Sequence, residues 1–219
     1  MPNLMGWREK VFENFRLYGV TDLKRETPDM LWRIERAYQG GADIVQLRSK
    51  ELSDAALLRL GRKVRKLALR YRKLFFINDR VDLAHALEAD GVHLGQDDMP
   101  LDMARRLAAR AGRRILIGKS THSLKQAISA VAEGADYIGI GPVFKTPTKQ
   151  HTKPVGLSFI RQVAAKVRVP WVAIGGIDLA NIQSVIEAGA TRIAVVRALF
   201  AVKDPKMAAK EFKLQLEGK

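Results

Sequence analysis

Gly40-Gly41-Ala42-Asp43-Ile44-Val45-Gln46-Leu47-Arg48 decides the fold. Paired glycines end a helix, because glycine adopts the positive φ on which helices commonly close. A short β-branched run follows and then gives way to polar and cationic residues. Such a stretch reads as a helix end, a buried strand and a strand mouth. The same small-residue cluster recurs before other apolar runs, at Ala89-Asp90-Gly91, Gly134-Ala135-Asp136 and Gly189-Ala190-Thr191. Ala42, Ala89, Ala135 and Ala190 stand 47, 46 and 55 residues apart. Each interval holds about two strand–helix units, so the clusters mark the even-numbered strands.

Eight apolar runs read as strands: Arg16 to Val20, Asp43 to Leu47, Leu74 to Ile77, Gly91 to Leu94, Ile115 to Ile117, Tyr137 to Ile140, Trp171 to Ile174 and Ile193 to Val196. Amphipathic stretches such as Asp54 to Tyr71, Leu101 to Ala111, Ser123 to Glu133 and Leu179 to Ala188 read as the helices between them. Alternating strands and helices build a parallel sheet with helices outside. Eight units predict an α/β chain closed into a (β/α)8 TIM barrel, with a doubly wound open sheet as the alternative. The Gly-x-Gly-x-x-Gly signature of the latter is missing after the first strand, where Tyr18-Gly19-Val20-Thr21-Asp22 stands. No linker divides the chain, so residues 1–219 are expected to form one domain. Residues 1–15 would add an N-terminal helix with Trp7, Val11 and Phe15 on one face.

The 219 residues are 47% hydrophobic and 28% charged, with no cysteine. This excludes a disulfide scaffold, a cysteine nucleophile and a thiolate zinc site. Without an apolar run of spanning length or a signal-peptide core, a cytoplasmic protein is expected. The net charge is +15, concentrated in Arg59, Arg62, Lys63, Arg65, Lys66, Arg70, Arg72 and Lys73 and again in Arg105, Arg106, Arg110, Arg113 and Arg114. Both groups interleave with apolar residues at helical spacing. They are read as solvated helix faces rather than a nucleic-acid surface.

In such barrels the site forms at the C-terminal ends of the strands. After the second strand, alternation turns Gln46, Arg48 and Lys50 the same way, a set that suits phosphate or pyrophosphate. Asn78-Asp79 and His93-Leu94-Gly95-Gln96-Asp97-Asp98 follow the third and fourth strands. Asp79 with Asp98 suits Mg²⁺, which takes one or two carboxylates plus phosphate oxygens and water. One of Asp97 and Asp98 is expected to cap the helix after Met99-Pro100. Lys119 and Ser120 follow the fifth strand and face a ligand, Ser123 is a candidate N-cap, and His122 is read as structural before catalytic. After the sixth strand, Thr146, Thr148 and Lys149 offer donors to a second phosphate. Gly175-Gly176 and Val196-Arg197, after the seventh and eighth, suit backbone binding of a phosphate. Two anion pockets without an evident nucleophile point to a transferase.

The motifs Gln46-x-Arg48-x-Lys50, Asn78-Asp79, Gly91 to Asp98, Gly141-Pro142-Val143-Phe144-x-Thr146-x-Thr148-Lys149 and Ile174 to Ile177 resemble the thiamine phosphate synthase (thiamine-phosphate pyrophosphorylase) family. The resemblance runs from about Leu17 to Pro205. It implies joining of a hydroxymethylpyrimidine diphosphate to a thiazole phosphate, with Mg²⁺ as cofactor and pyrophosphate released. It further implies that Gln46, Arg48, Lys50, Asn78, Ser120 and Lys149 hold the diphosphate substrate. Asp79 and Asp98 would hold Mg²⁺, while Thr146, Thr148, Gly176, Val196 and Arg197 would hold the thiazole phosphate. His93 would lie near the pyrimidine, and Arg48, Lys50, Ser120 and Lys149 would act on the departing group. Two positions depart from the family pattern: Ser49 where it usually has Glu, and Arg197 where it commonly has a small residue. A thiazole tautomerase paralogue shares the barrel and resembles this chain from Gly118 to Ser123, which leaves a tautomerase using His122 as the alternative. A basic binding protein on a barrel scaffold is a third reading. Small-molecule substrates are the expected partners, without a membrane or nucleic acid, and a homo-oligomer is compatible with the sequence.

Overall fold

The computed structural model describes residues 4–112, 114–147 and 152–218. Its strands are β1 (Leu17–Val20), β2 (Ile44–Leu47), β3 (Leu74–Asn78), β4 (Gly91–Leu94), β5 (Leu116–Thr121), β6 (Tyr137–Ile140), β7 (Trp171–Ile174) and β8 (Ile193–Val195). Each pairs in parallel with the next, and β8 pairs with β1, so the barrel closes in sequence order. The helices are α1 (Leu4–Asn14), α2 (Met30–Gln39), α3 (Asp54–Tyr71), α4 (Val81–Ala86), α5 (Leu101–Arg110), α6 (Leu124–Ala132), α7 (Gly156–Lys166), α8 (Ile182–Glu187), α9 (Arg197–Phe200) and α10 (Pro205–Glu217). All eight expected strands are present. The fifth runs four residues past Ile117, which takes Lys119, Ser120 and Thr121 out of the expected loop and into the sheet.

Period-two alternation divides the apolar residues into two cores. The outward set, including Leu17, Val45, Phe75, Val92, Ile117, Ile138 and Ala173, packs beneath the helices. The inward set fills the barrel with Tyr18, Ile44, Leu74, Phe76, Tyr137, Val172 and Ala194. Trp7, Val11 and Phe12 of α1, with Phe15 just beyond it, pack against that inner set and close the N-terminal end of the barrel. The opposite end carries the strand mouths.

The recurring clusters have a second structural role beyond helix ending. Gly41, Gly134 and Gly189 take positive φ, as does Glu88 ahead of Ala89. The aspartates beside them then tie neighbouring strands together. Asp43 accepts the backbone N–H groups of Arg16 and Leu17, Asp90 that of Phe75, and Asp136 that of Ile117. Each also meets cations: Asp43 meets Lys73 and Lys213, Asp90 meets Arg65 and Arg8, and Asp136 meets Arg105. The basic helix faces are therefore not wholly solvated, since Arg65 is 7% exposed and forms a 2.8 Å ion pair with Asp90.

Candidate active site

The barrel mouth opens into a cavity of about 90 Å³. Val20, Val172, Ile174, Ala194 and Val196 give it apolar walls, and Gln46, Arg48, Asn78, His93, Ser120 and Thr146 supply polar groups. An apolar slot with a few convergent polar groups suits a small flat molecule. A second cavity of about 420 Å³ adjoins it between the loops after β6, β7 and β8, lined by Thr146, Gly176, Val196 and Arg197 among others. Gly176 has φ +67°, and an added Cβ there would lie 2.7 Å from the Lys145 carbonyl oxygen, so the wall requires glycine. Asp178 also lines this cavity. Its Oδ1 accepts the N–H groups of Ala180 and Asn181, which directs that oxygen into its own turn.

Gln46, next to the last residue of β2, faces the barrel interior at 3% exposure. Arg48 and Lys50 lie beyond the strand and diverge. Arg48 lines the central cavity and is paired to Asp22, while Thr21 Oγ1 bonds both the N–H and the carbonyl of Arg48. Lys50 reaches over β3, where its Nζ lies 2.5 Å from Asp79 Oδ2. Ser49 Oγ donates to the Leu23 carbonyl and accepts the N–H groups of Glu51 and Leu52, so this departure closes the cationic loop on itself.

Asp79 and Asp98 come together, as expected. Burial, and then the neighbouring Asp98 carboxylate, pushes Asp79 above the ordinary carboxylate range. Burial opposes ionisation of Asp98 too, but hydrogen bonds from Asp79 and from the Gly95 N–H outweigh it and hold Asp98 low. Two carboxylates in contact form a hard-oxygen donor set that fits Mg²⁺ once phosphate and water complete the shell. Among the described residues no group of three or more His, Asp or Glu side chains could hold a metal ion unaided. Neither Asp97 nor Asp98 caps α5, contrary to expectation. Its N-cap is Pro100, and Asp98 Oδ2 instead accepts the Gly95 N–H at 2.6 Å. Lys119 turns from the cavity to donate to the Gly95 carbonyl at 2.6 Å, bracing the same turn from the other side. Ser123 does cap α6, accepting the Gln126 N–H.

His93 lies between Tyr137 and Ser120, 2.9 Å from each hydroxyl. Tyr137 meets Tyr18, and Tyr18 meets Gln46. His122 lines the central cavity with Nδ1 against the Gly141 carbonyl. Thr146 borders both cavities. Thr148 and Lys149 lie outside the described residues.

The thiamine monophosphate synthase (TMP-TENI) family model matches residues 17–199. The chain belongs to that family. A thiamine-phosphate synthase of Gloeobacter violaceus is 51% identical over 190 residues, covering 87% of this chain and 54% of the relative. One of Thermus thermophilus is 48% identical over 187 residues, covering 85% of this chain and 88% of the relative. The solved thiamine phosphate pyrophosphorylase of Pyrococcus furiosus is 36% identical, with a TM-score of 0.84 and 93% and 96% of the two chains covered. The chain spans little more than half the length of several curated relatives it matches, 54% to 60% of the Gloeobacter, Synechocystis and two Nostoc proteins. No described helix is long and apolar enough to cross a membrane.

Tyr18, Tyr137, Thr21 and Asp22 are the site residues that sequence reasoning missed. For the tyrosines a signal existed. Inward alternation from Val20 and from Gly139 reaches both, and a buried tyrosine hydroxyl needs a partner.

Proposed function

We propose that this chain joins 4-amino-5-hydroxymethyl-2-methylpyrimidine diphosphate to 4-methyl-5-(2-phosphoethyl)thiazole, or its carboxylated form, giving thiamine phosphate and pyrophosphate. The observation that supports it best is the division of the mouth. Arg48, Lys50 and the Asp79–Asp98 pair stand on one side of an apolar slot, and a glycine-walled cavity stands on the other. The first side suits a diphosphate that leaves, the second a monophosphate that anchors.

The slot between Val20, Val172, Ile174 and Val196 holds the pyrimidine ring, with Gln46 and His93 at its polar edge. Cleavage of the C–O bond sends its electron pair to pyrophosphate and leaves a benzyl-like cation that the aminopyrimidine delocalises. Arg48 and Lys50 exchange Asp22 and Asp79 for diphosphate oxygens, and Ser120 donates to the same group. Asp79 and Asp98 would hold Mg²⁺, which when bound offsets charge building on the departing oxygens. Thr146, Gly176 and the Val196–Arg197 backbone position the thiazole so that its ring nitrogen closes on the cation, with no protein base needed. The Arg197 side chain, exposed at the rim of that cavity, adds a cation for the thiazole phosphate. In the thiamine-forming assay, product with Mg²⁺ and none with chelator is the expected result. Metal-independent proton exchange on a thiazole carboxylate phosphate, without condensation, would instead favour the tautomerase reading, for which His122 lines the cavity.

A further inference from the structure

A continuous hydrogen-bonded chain of side chains crosses the barrel interior. Gln46 Nε2 donates to Tyr18 Oη at 2.7 Å. Tyr18 Oη lies 3.0 Å from Tyr137 Oη, Tyr137 Oη 2.9 Å from His93 Nδ1, and His93 Nε2 2.9 Å from Ser120 Oγ. Five side chains from β2, β1, β6, β4 and β5 are linked in this order. Packing permits it: a Cβ on Gly118 would lie 2.2 Å from the Tyr137 ring, and one on Gly139 would lie 3.1 Å from the His93 ring.

The chain has one direction that leaves no buried proton without an acceptor. An amide nitrogen only donates, so Tyr18 Oη accepts from Gln46. Among the described residues the Tyr18 hydroxyl meets Gln46 and Tyr137, so its own proton goes to Tyr137. Tyr137, having accepted, donates to His93 Nδ1. The imidazole proton then sits on Nε2 and is given to Ser120, which leaves the serine proton for the cavity that Ser120 lines. In the reverse direction the Tyr18 proton would face the Gln46 amide nitrogen, two donors meeting inside the barrel. Burial drives both phenols well above their ordinary range, so each retains the proton the chain needs.

We propose that Gln46, Tyr18 and Tyr137 form a one-way hydrogen-bond wire that fixes His93 as its Nε2–H tautomer and thereby sets Ser120 as a donor to anionic oxygen. Tyr18 and Tyr137 are positioning residues, acting on the cavity through His93 and Ser120. The consequence for turnover rests on the synthase reading above; the tautomer does not.

The test is a long-range ¹H–¹⁵N correlation spectrum of the ¹⁵N-labelled chain, at a pH where the imidazole is neutral. The His93 signals are assigned by their loss in His93→Gln. The wire predicts a pyridine-type Nδ1 and a protonated Nε2, favoured by about tenfold or more, the ratio one stranded buried hydrogen bond imposes. Tyr137→Phe and Tyr18→Phe, with folding checked by circular dichroism, are expected to bring the two tautomers towards parity. Tyr18→Phe is the sharper probe, because Tyr18 reaches His93 through the Tyr137 hydroxyl. An Nδ1–H tautomer in the unaltered chain overturns the wire, as does an unchanged ratio in a folded Tyr18→Phe variant. Turnover separates the two claims. An Nε2–H tautomer in a chain that makes no thiamine phosphate leaves the wire and removes the reading. An Nδ1–H tautomer in an active enzyme does the reverse.

Discussion

At the scale of single residues, the acid pair is the sharpest feature of the mouth. Asp79 has φ +61°, a conformation that asparagine tolerates and alanine does not. Asp79→Asn therefore removes the charge without backbone strain. It should lower Mg²⁺-dependent turnover by about 100-fold, the scale of a few kcal/mol of lost charge stabilisation, with the melting temperature nearly unchanged. Steady-state rates at saturating Mg²⁺ check this, and near-normal turnover would remove Asp79 from the proposed metal site. Gly118 supplies a packing prediction. Gly118→Ala drives a methyl into the Tyr137 ring and should cost about 1–3 kcal/mol, read as a shift in denaturation midpoint. Much of this scale was legible in the sequence. Gln46, Arg48, Asn78 and Ser120 lie at or just past the ends of strands recognisable by their apolar runs, and all four line the central cavity. The partners Asp22 and Thr21 were not legible, because they stand beside Arg48 only through the pairing of β1 with β2.

At the scale of elements, the strand bases matter as much as the mouths. In the sequence, the glycines mark only helix ends. The aspartates serve the adjacent strand, a relation that appears only once register is known. Asp90 and Arg65 are the most enclosed of these ion pairs, with side chains 3% and 8% exposed. Asp90→Ala leaves the guanidinium buried and unpaired and should cost about 3–5 kcal/mol in chemical denaturation. Asp43 gives a pH prediction. Burial alone would raise its pKa, but Lys73, the Arg16 N–H and Lys213 together pull it below the ordinary value. A carboxyl lowered in the folded state contributes stability above its unfolded pKa and loses it as pH falls towards the folded one. Asp43→Asn should therefore lower the melting temperature at neutral pH. It should also flatten the fall in stability below about pH 4, where unfolded aspartate protonates. Parallel acid limbs in the two proteins would contradict this. The misplaced end of β5 belongs to this scale as well. Gly118, Lys119 and Ser120 resemble a loop in sequence, yet they pair with Tyr137, Ile138 and Gly139 of β6, and tertiary pairing outweighs local propensity.

At the scale of the molecule, the eightfold alternation of strands and helices was enough to foresee closure, and closure makes the site. A barrel brings residues from positions 18 to 201 to one mouth, with an apolar slot between two regions suited to anions. It also sets part of the chain's cationic side chains against aspartates at the strand bases. The central claim is that this mouth couples loss of a diphosphate to capture by a thiazole. The most direct test measures pyrophosphate and thiamine phosphate in the same reaction, with both substrates saturating, first with Mg²⁺ and then with EDTA. The account predicts the two products in equal amounts with Mg²⁺ and neither with EDTA. Pyrophosphate released without thiamine phosphate, or product formation that EDTA leaves undiminished, would contradict it.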